Sequence, residues 1–343
     1  MGLDMKAAEG PRSLASFQDY AESLKSSLDA GFSSLMAPLM GDMRGHIPGE
    51  GMEVLGGGKR IRGSLLCLVA SALGCSLDKA LPRAIAVELI QTATLIHDDF
   101  VDQHKLRRNL PAVWTLEGAR KAVLLGDVIF ASAIQMMSEL GRDDGLIVSR
   151  VIAEISRGAY REPMDPSSLL EEIERDKGGA SFYEKIIYLK TGVLFGAACQ
   201  LGAVAAGAGE KFRQAWRCYG LRIGEAYQIA DDLHEIELYL LTRSMTKIEM
   251  TALAPALLFF VGESKPHIID ALRRELPCLK EEILNLLEGA AKVMKAEIER
   301  RLQSAVAGLE ENLQANEYGL LVRRTPWDII RMFNDARTAV SWP

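Results

Sequence analysis

Two short acidic clusters, far apart in the chain, are the residues best suited to chemistry. Their carboxylates belong to Asp98, Asp99 and Asp102 in the first cluster and to Asp231, Asp232 and Glu235 in the second. Each cluster follows a largely apolar stretch, so each lies where a hydrophobic core meets a cleft. Carboxylates are costly to bury unless a cation neutralises them. Oxygen ligands of this kind suit Mg²⁺, which keeps several waters and bridges to phosphate oxygens.

The spacing within each cluster is that of one helix face. Asp98 and Asp102 are four residues apart, and Asp231 and Glu235 repeat this interval. Side chains at that interval project from the same side of an α-helix. A single Asp-Asp pair is more often a helix cap or a solvated face. Two clusters, with basic segments elsewhere in the chain, favour one metal site shared across a helical cavity.

Three basic segments are candidates for binding phosphate beside that metal. Residues 57–63, Gly-Gly-Lys-Arg-Ile-Arg-Gly, open a helix, where backbone amides favour an anion and arginine adds forked hydrogen bonds. Arg107 and Arg108 follow the first acidic cluster closely. Lys190 interrupts an apolar helix and precedes a Thr-Gly pair that loosens it. Each segment alone is typical of a solvated surface, and the glycine spacing at 57–63 excludes a nucleotide-binding P-loop.

Composition narrows the class of protein. The 343 residues are 48% hydrophobic and 25% charged, with a formal net charge of −6. A chain without basic excess is not expected to bind nucleic acid. Five cysteines without paired spacing predict free thiols and a cytoplasmic location. The apolar run 193–209 is too short and too rich in glycine and alanine for a membrane span, so we expect at most peripheral membrane contact.

Helical periodicity dominates, and no run alternates in the manner of a strand. We expect an all-α bundle of more than four helices with the metal site at its open end. No break is long enough to be a linker, so we expect a single domain over residues 1–343, with residues 1–14 flexible. The predicted helices are 65–73, 80–102, 119–140, 145–161, 182–205, 212–236, 279–313 and 326–340.

Six segments in register resemble one family. They read Gly-Gly-Lys-Arg-Ile-Arg, Leu-Ile-His-Asp-Asp-Phe-Val-Asp, Leu-Arg-Arg, Leu-Leu-Gly-Asp, Lys-Thr-Gly and Tyr-Gln-Ile-Ala-Asp-Asp, and they run from about Gly57 to Glu235. Their order and spacing resemble the trans-isoprenyl diphosphate synthases, also called polyprenyl synthetases. The resemblance implies a large orthogonal and antiparallel helix bundle of the isoprenoid synthase type, an active site in a deep central cavity, and a homodimer.

The resemblance also assigns roles to individual residues. The first acidic cluster matches the motif that binds Mg²⁺ on the allylic diphosphate, and the second cluster matches the opposite metal motif. Three Mg²⁺ ions are expected with substrate bound. Arg107 matches the arginine that contacts the allylic diphosphate. The pocket for isopentenyl diphosphate is matched by Lys59, Arg62, Gln91 and Arg108. The groups over the reacting carbon are matched by Lys190, Thr191 and Gln228.

The implied reaction joins isopentenyl diphosphate to an allylic prenyl diphosphate. Mg²⁺ and Lys190 neutralise the leaving diphosphate, so the allylic C–O bond ionises. The Thr191 carbonyl and the Gln228 amide oxygen then stabilise the allylic cation. The double bond of isopentenyl diphosphate attacks that cation, and loss of a proton gives a longer all-trans prenyl diphosphate. The expected partners are therefore small-molecule prenyl diphosphates.

Residues upstream of the first cluster predict the length of the product. Ala93 and Thr94 are small, and Ile90 and Val87 lie a turn or more deeper. Without an aromatic side chain at the first level, we expect a medium-chain product of about 20 to 30 carbons, of the geranylgeranyl or geranylfarnesyl type.

The chain departs from the family pattern after the second cluster. Relatives usually carry a Gly-Asp and a Gly-Lys there, and residues 236–247 lack those glycines. Arg243 or Lys247 would have to supply the missing cation. Three alternatives therefore stay open. They are a prenyltransferase that uses a non-standard acceptor or joins two allylic units, a class I terpene cyclase, and a non-catalytic partner subunit of a related synthase.

Overall fold

The protein is all-α, as the helical periodicity predicts. The structure, a computed structural model, describes residues 15–42, 55–162, 165–175, 180–262, 265–273, 281–309, 313 and 316–338. The first helices are α1 (Phe17–Asp42), α2 (Ile61–Ala72), α3 (Leu77–Val101), α4 (Val113–Glu117), α5 (Ala119–Leu140), α6 (Arg142–Arg161), α7 (Pro166–Arg175) and α8 (Ala180–Ile187). After a π-helical turn (Tyr188–Gly192) come α9 (Val193–Ala205), α10 (Glu210–Thr242), α11 (Lys247–Phe260), α12 (Lys265–Arg273), α13 (Glu281–Ala307) and α14 (Glu317–Thr338). Strands β1 (Leu106–Arg107) and β2 (Leu110–Pro111) form a small antiparallel hairpin.

Most predicted helices are present, with two informative differences. The helix predicted over 182–205 is divided by the π-helical turn. Helix α1 was not predicted, although its buried residues Phe17, Leu24 and Leu28 recur at helical intervals, the signal that would have found it. The prediction of a flexible segment at 1–14 falls outside the described residues.

Two clusters of buried apolar side chains make up the core. One cluster joins α1, α2, α3, α5, α6 and α9, and the other joins α7, α8, α11, α12 and α13. Helix α10, 33 residues long, enters both, with Trp216 in the first cluster and Ile229 in the second. Tyr227 packs against both clusters. The second acidic cluster therefore lies on a helix that links the two parts of the core.

A buried ion pair fixes α10 against α13. Arg301 on α13 is 2% exposed, and its guanidinium binds the carboxylate of Glu225 on α10. Glu297, one turn before Arg301, accepts a second hydrogen bond at 2.7 Å. Removing one partner of such a pair would leave an uncompensated buried charge. This pair therefore constrains how α10 lies relative to α13.

Two helical stretches are long and apolar enough to cross a membrane, judged on length and composition alone. They are Ala119–Leu140 and Phe182–Ala205. The second is 78% buried inside the protein, whereas α5 is only 33% buried. Burial of 78% is typical of a core helix. Burial of only 33% leaves an apolar outer face on α5, where Leu124 is 50% exposed.

Candidate active site

A cavity of about 340 Å³ opens between α3, α6, α7 and α8. Asp98 and Asp102, at the end of α3, line it together with Lys190 from the π-helical turn. The apolar part of its wall is formed by Val101, Ile155, Phe182, Ile186 and Leu189. The prediction that the first acidic cluster lies where the core meets a cleft is therefore confirmed for these two aspartates.

Charges at the mouth of this cavity are strongly coupled. Lys190 Nζ donates a hydrogen bond to Glu162 Oε1 at 2.9 Å. Burial raises the pKa of Asp98 to about 6, although Lys190 opposes the shift. Burial also raises the pKa of Asp102. Burial would lower the pKa of Lys190, but Glu162, Asp102 and Asp98 together raise it above its ordinary value. Lys190 therefore stays charged, and the two aspartates would gain from a further cation.

Asp99 does not share this environment. It is 3% exposed, and its two carboxylate oxygens accept hydrogen bonds from Arg107 Nε at 3.0 and 3.1 Å. We expected Asp99 to face a metal ion and Arg107 to contact a diphosphate. In the structure the two side chains bind each other, because both are partly buried and charges removed from water need partners. Metal binding by Asp99 and diphosphate binding by Arg107 stay predictions.

The hairpin after α3 places Arg107 and Arg108. Arg108 and Asn109 form its two-residue turn, both with positive φ, 53° and 64°, as tight hairpin turns require. A Cβ added to Gly58 would lie 3.4 Å from the Arg108 guanidinium. The hairpin thus lies over the glycine-rich turn that precedes α2, and two of the predicted basic segments meet.

A buried glutamate, Glu88 on α3, organises the start of α2. Its Oε1 accepts a hydrogen bond from the backbone N–H of Gly63 at 2.8 Å. A side chain at position 63 would meet Glu88 Cγ at 3.1 Å and the Ala84 carbonyl at 3.3 Å, which explains the glycine. Arg60, 4% exposed, lies 2.8 Å from Asp29 and 3.6 Å from Glu88. Arg60 is therefore structural, and the sequence signal for Glu88 is a lone acid among apolar positions of α3.

The remaining residues predicted to bind isopentenyl diphosphate have different surroundings. The Arg62 guanidinium lies 4.5 Å from the ring centre of Phe195, and its Nε is buried without a hydrogen-bond partner among the described residues. Lys59 Nζ donates to the backbone carbonyl of Met332 on α14, and burial lowers its pKa. Gln91 is half-buried on α3, seven residues before Asp98. The contribution of α14 was not predicted from the sequence.

The second acidic cluster is joined to the π-helical turn by hydrogen bonds. Thr191 Oγ1 donates to Gln228 Oε1 at 2.6 Å, and Gln228 Nε2 donates to Asp232 Oδ1 at 3.1 Å. Tyr183 donates to Asp232 Oδ2 at 2.6 Å. Burial raises the pKa of Asp232 to about 7, and Lys190 is among the groups that oppose the rise. Lys190 is therefore electrostatically coupled to one aspartate of each cluster, although Asp231, Asp232 and Glu235 are not among the residues that line the cavity.

The other two acids of this cluster flank Asp232 on α10: Asp231 precedes it directly and Glu235 follows three residues later. Asp231 lies 3.5 Å from Gln228 Nε2, and Glu235 Oε2 accepts from Tyr239 at 3.4 Å. Tyr183 and Tyr239 are site residues that the sequence reasoning missed. Their signal was weak, because a tyrosine at an apolar helix position is ordinary core composition.

The π-helical turn confirms that the Lys-Thr-Gly sequence loosens the helix. Such turns occur mostly as local features at functional sites. A Cβ on Gly224 of α10 would lie 2.8 Å from Gly192 Cα and 3.0 Å from the Thr191 carbonyl oxygen. Thr191 itself is 5% exposed. Its carbonyl therefore faces α10, and the Gln228 amide oxygen accepts from Thr191. The role of these two oxygens over the reacting carbon stays a prediction.

The donor set fits Mg²⁺ that is bound together with a phosphate. Within the described residues, no three or more His, Cys, Asp or Glu side chains are grouped closely enough to hold a metal ion by themselves. Mg²⁺ commonly takes one or two carboxylates and completes its shell with water and substrate phosphates. Asp98 and Asp102 share one helix face, and burial raises the pKa of both. That pair suits an ion that arrives with its phosphate.

The segment after the second cluster is helical. Helix α10 continues to Thr242 and ends at Arg243, whose φ is 52°. Thr246 begins α11 with a capping box, in which its hydroxyl accepts from Glu249 N at 3.3 Å. Neither Arg243 nor Lys247 lines the cavity. The cation expected from one of them is therefore not at the cavity in this structure.

A helical bundle with two acidic clusters, a π-helical lysine and basic turns defines a protein of the all-α isoprenoid synthase fold. The polyprenyl synthetase family model matches residues 51–245, more than half of the chain, so the chain belongs to the polyprenyl synthetase family.

Curated relatives agree with this assignment over part of their length. The geranylgeranyl diphosphate synthase of Methanosarcina mazei is 36% identical over 52% of this chain and 54% of its own. The geranylfarnesyl diphosphate synthase of the same organism is 33% identical over 65% of this chain and 71% of its own. The match to the first of these therefore spans about half of that relative.

One solved structure is similar over nearly the whole chain. The polyprenyl synthase from Caulobacter crescentus, complexed with calcium and isoprenyl diphosphate, is 26% identical and has a TM-score of 0.70. The alignment covers 93% of this chain and 98% of that one. The predicted fold is thereby confirmed.

Gly224→Ala is expected to destabilise the protein by about 1–3 kcal/mol, because the new Cβ overlaps the π-helical turn. Gly289→Ala on α13 is the matched control, since its Cβ would meet only Val261 at 3.9 Å. The control is expected to be neutral or stabilising by up to about 1 kcal/mol. Urea unfolding of the two variants measures the difference. Equal free energies of unfolding would contradict the tight contact.

Asp232→Asn is expected to flatten the dependence of stability on pH when divalent ions are removed. The ordinary carboxyl pKa of 3.8 rises to about 7 in the folded protein. A carboxyl group whose pKa is higher in the folded than in the unfolded protein stabilises the fold fully below its unfolded pKa. This stabilisation is lost as the pH rises through the folded pKa of about 7. Wild type should therefore lose about 1–3 kcal/mol more than Asp232→Asn between pH 4 and 8. Urea unfolding in EDTA checks this, and parallel profiles would contradict it.

Proposed function

We propose that the protein is a Mg²⁺-dependent prenyltransferase. It condenses isopentenyl diphosphate with an allylic prenyl diphosphate, giving a longer all-trans prenyl diphosphate and diphosphate. The observation that carries this proposal is the position of Lys190, which lines the cavity with Asp98 and Asp102 and also opposes the raised pKa of Asp232 in the second cluster. Family membership and the names of the relatives support the same reaction class.

The chain's own residues would bind the allylic diphosphate at the mouth of the cavity. Asp98 and Asp102 on one side and the second cluster on the other would hold Mg²⁺, which supplies charge neutralisation when bound. Lys190 adds a fixed positive charge to the same place. The guanidinium of Arg107 has five N–H donors and uses Nε and Nη2 on Asp99. Its remaining donors are available to a phosphate oxygen.

The second substrate would lie where the basic turn meets the hairpin. Lys59 and Arg108 come from these two segments, and Arg62 has a buried Nε without a partner within the described chain. An anion there would satisfy that donor. Isopentenyl diphosphate held in this way would present its double bond to the allylic cation. The apolar side chains of the cavity wall exclude water, so the cation is not quenched before the new bond forms.

The product length depends on where the cavity ends. Thr94, one turn before Asp98, lines the cavity, whereas Ala93 is fully buried outside it. Of the two small residues expected at the first level, we therefore propose Thr94 as the floor. Leu189 and Ile155 complete this level. The small Thr94 side chain supports our proposal of a product of about 20 to 30 carbons.

We propose that the protein acts as a cytoplasmic homodimer joined through α5. Leu124 on this helix is half exposed, and Val128 and Ala131 continue its outer face at helical spacing. An apolar stripe of this kind is typical of a face that is covered in an assembly. The free thiols of Cys67, Cys75, Cys199 and Cys218 support a reducing compartment.

A prenyltransferase with a non-standard acceptor is the second candidate. The observation that favours it is the helical continuation of α10 after Glu235, where Arg243 and Lys247 stay away from the cavity. Fewer cations near the second cluster would weaken the binding of a diphosphate on that side. A class I terpene cyclase is less well supported, because the basic turn and the hairpin arginines suit a second diphosphate.

Product analysis tests the proposed function. Purified protein with Mg²⁺ would receive labelled isopentenyl diphosphate and allylic primers of increasing length, and we expect a ladder of longer prenyl diphosphates. Asp98→Ala should lower the rate at least about a hundredfold, because it removes a ligand of the neutralising ion. The control is Asp78→Ala, an exposed aspartate on the same helix.

Other outcomes separate the alternatives. Release of diphosphate from an allylic primer alone would replace the proposal with the cyclase or unusual-acceptor reading. No reaction with any primer would favour the partner subunit.

Thr94→Phe is expected to shorten the product by at least one five-carbon unit, because the ring would fill the first level of the cavity. Thr92→Phe is a poor control, since Thr92 is buried. Lys79→Phe, at an exposed position of α3 outside the cavity lining, is the control and should leave the product unchanged. Chromatography of dephosphorylated products measures the chain length. An unchanged product in Thr94→Phe would refute the floor at this position.

A further inference from the structure

The turn between α10 and α11 exposes two large apolar side chains. Leu241 is 81% exposed and Ile248 is 82% exposed. We call residues 241–248 the α10–α11 tip. Among the described residues, only Tyr160, at 91%, is a more exposed large apolar side chain. Single exposed apolar residues are common, but two at one turn with this degree of exposure are unusual.

The tip is held in shape by its own contacts. Met245, between the two exposed residues, is 4% exposed and belongs to the second core cluster. Arg243 ends α10 in the left-handed region, and the capping box of Thr246 and Glu249 begins α11. Leu241 and Ile248 are thus presented to solvent by an anchored turn.

The tip is also basic, although the whole chain is acidic. Residues 241–248 contain Arg243 and Lys247, both exposed, and no Asp or Glu. Their formal charge of +2 contrasts with −6 for the chain. Two neighbouring acids are engaged: Glu237 pairs with Lys295 at 2.7 Å, and Glu249 caps α11. The tip therefore combines protruding apolar side chains with a local positive charge.

The tip follows the second acidic cluster on α10. Tyr239, two residues before Leu241, donates to Glu235 of the second acidic cluster. Tyr160 is flanked by Ala159 and Arg161, which line the cavity. Leu241 thus lies six residues after Glu235 on the same helix, and Tyr160 lies between two residues of the cavity lining, although the cavity wall uses neither of them.

We propose that the α10–α11 tip binds the surface of an anionic lipid bilayer. Apolar side chains enter the boundary between headgroups and acyl chains, and adjacent cations interact with anionic headgroups. Exposed apolar residues flanked by arginine and lysine match both parts of that surface. The benefit to the enzyme rests on the proposed function, because a prenyl product with a long apolar chain would partition into the membrane to which the enzyme is bound.

Vesicle flotation of the intact protein without substrates tests this proposal. We expect binding to vesicles of phosphatidylcholine with phosphatidylglycerol, much less to phosphatidylcholine alone, and weaker binding at high salt. The double variant Leu241→Ser, Ile248→Ser should lower the partition coefficient at least about fivefold. Leu320→Ser is the matched control, since Leu320 is 67% exposed on α14 and is followed by Arg323 and Arg324. It should bind as wild type does.

Two results would overturn the proposal: absence of binding to anionic vesicles, or equal binding by the double variant and wild type. A loss in Leu320→Ser as large as in the double variant would also overturn it, because the tip would then have no special role. Prenyl transfer with a short primer, measured without vesicles, should be unchanged in the double variant. If the proposed function is wrong, the transfer assay gives no product, but the result of the vesicle assay is unaffected because binding needs no catalysis.

Discussion

The structure depends most on how it compensates the carboxylates that surround Lys190. Lys190 lies 2.9 Å from Glu162 and influences aspartates of both acidic clusters. Burial raises the pKa of Asp98 and Asp232, so a further cation would stabilise the charged form of either aspartate. Such a site favours a ligand that brings additional positive charge, and a diphosphate with its divalent ions does so. The chemistry proposed here follows from that imbalance.

The rest of the structure holds these charged groups in position. The Arg301–Glu225 pair joins α10 to α13, while Gly224 lets the π-helical turn approach α10 closely. Thr191 can then reach Gln228, and Gln228 can reach Asp232. On the other side, Glu88 fixes the start of α2. Both arrangements use buried polar contacts, which are costly to break because the freed partner stays buried.

Much of the fold could be predicted because its signals are local. Helix α5 has the bounds that apolar periodicity predicted, and the Lys-Thr-Gly sequence indicated a loosened helix. The four-residue spacing of Asp98 and Asp102 correctly predicted a shared helix face. The hairpin at 106–111 was not predicted, because two-residue strands are too short to show an alternating pattern.

The sequence by itself determined the helical fold class, the pairing of carboxylates within each cluster and the family. All three depend on order and spacing along the chain. Tertiary structure decided that Asp99 binds Arg107, that Thr94 rather than Ala93 faces the cavity, and that Thr191 turns its carbonyl toward α10. Periodicity relates side chains within one helix. It does not set how that helix is rotated against its neighbours, and packing between distant segments settles that rotation.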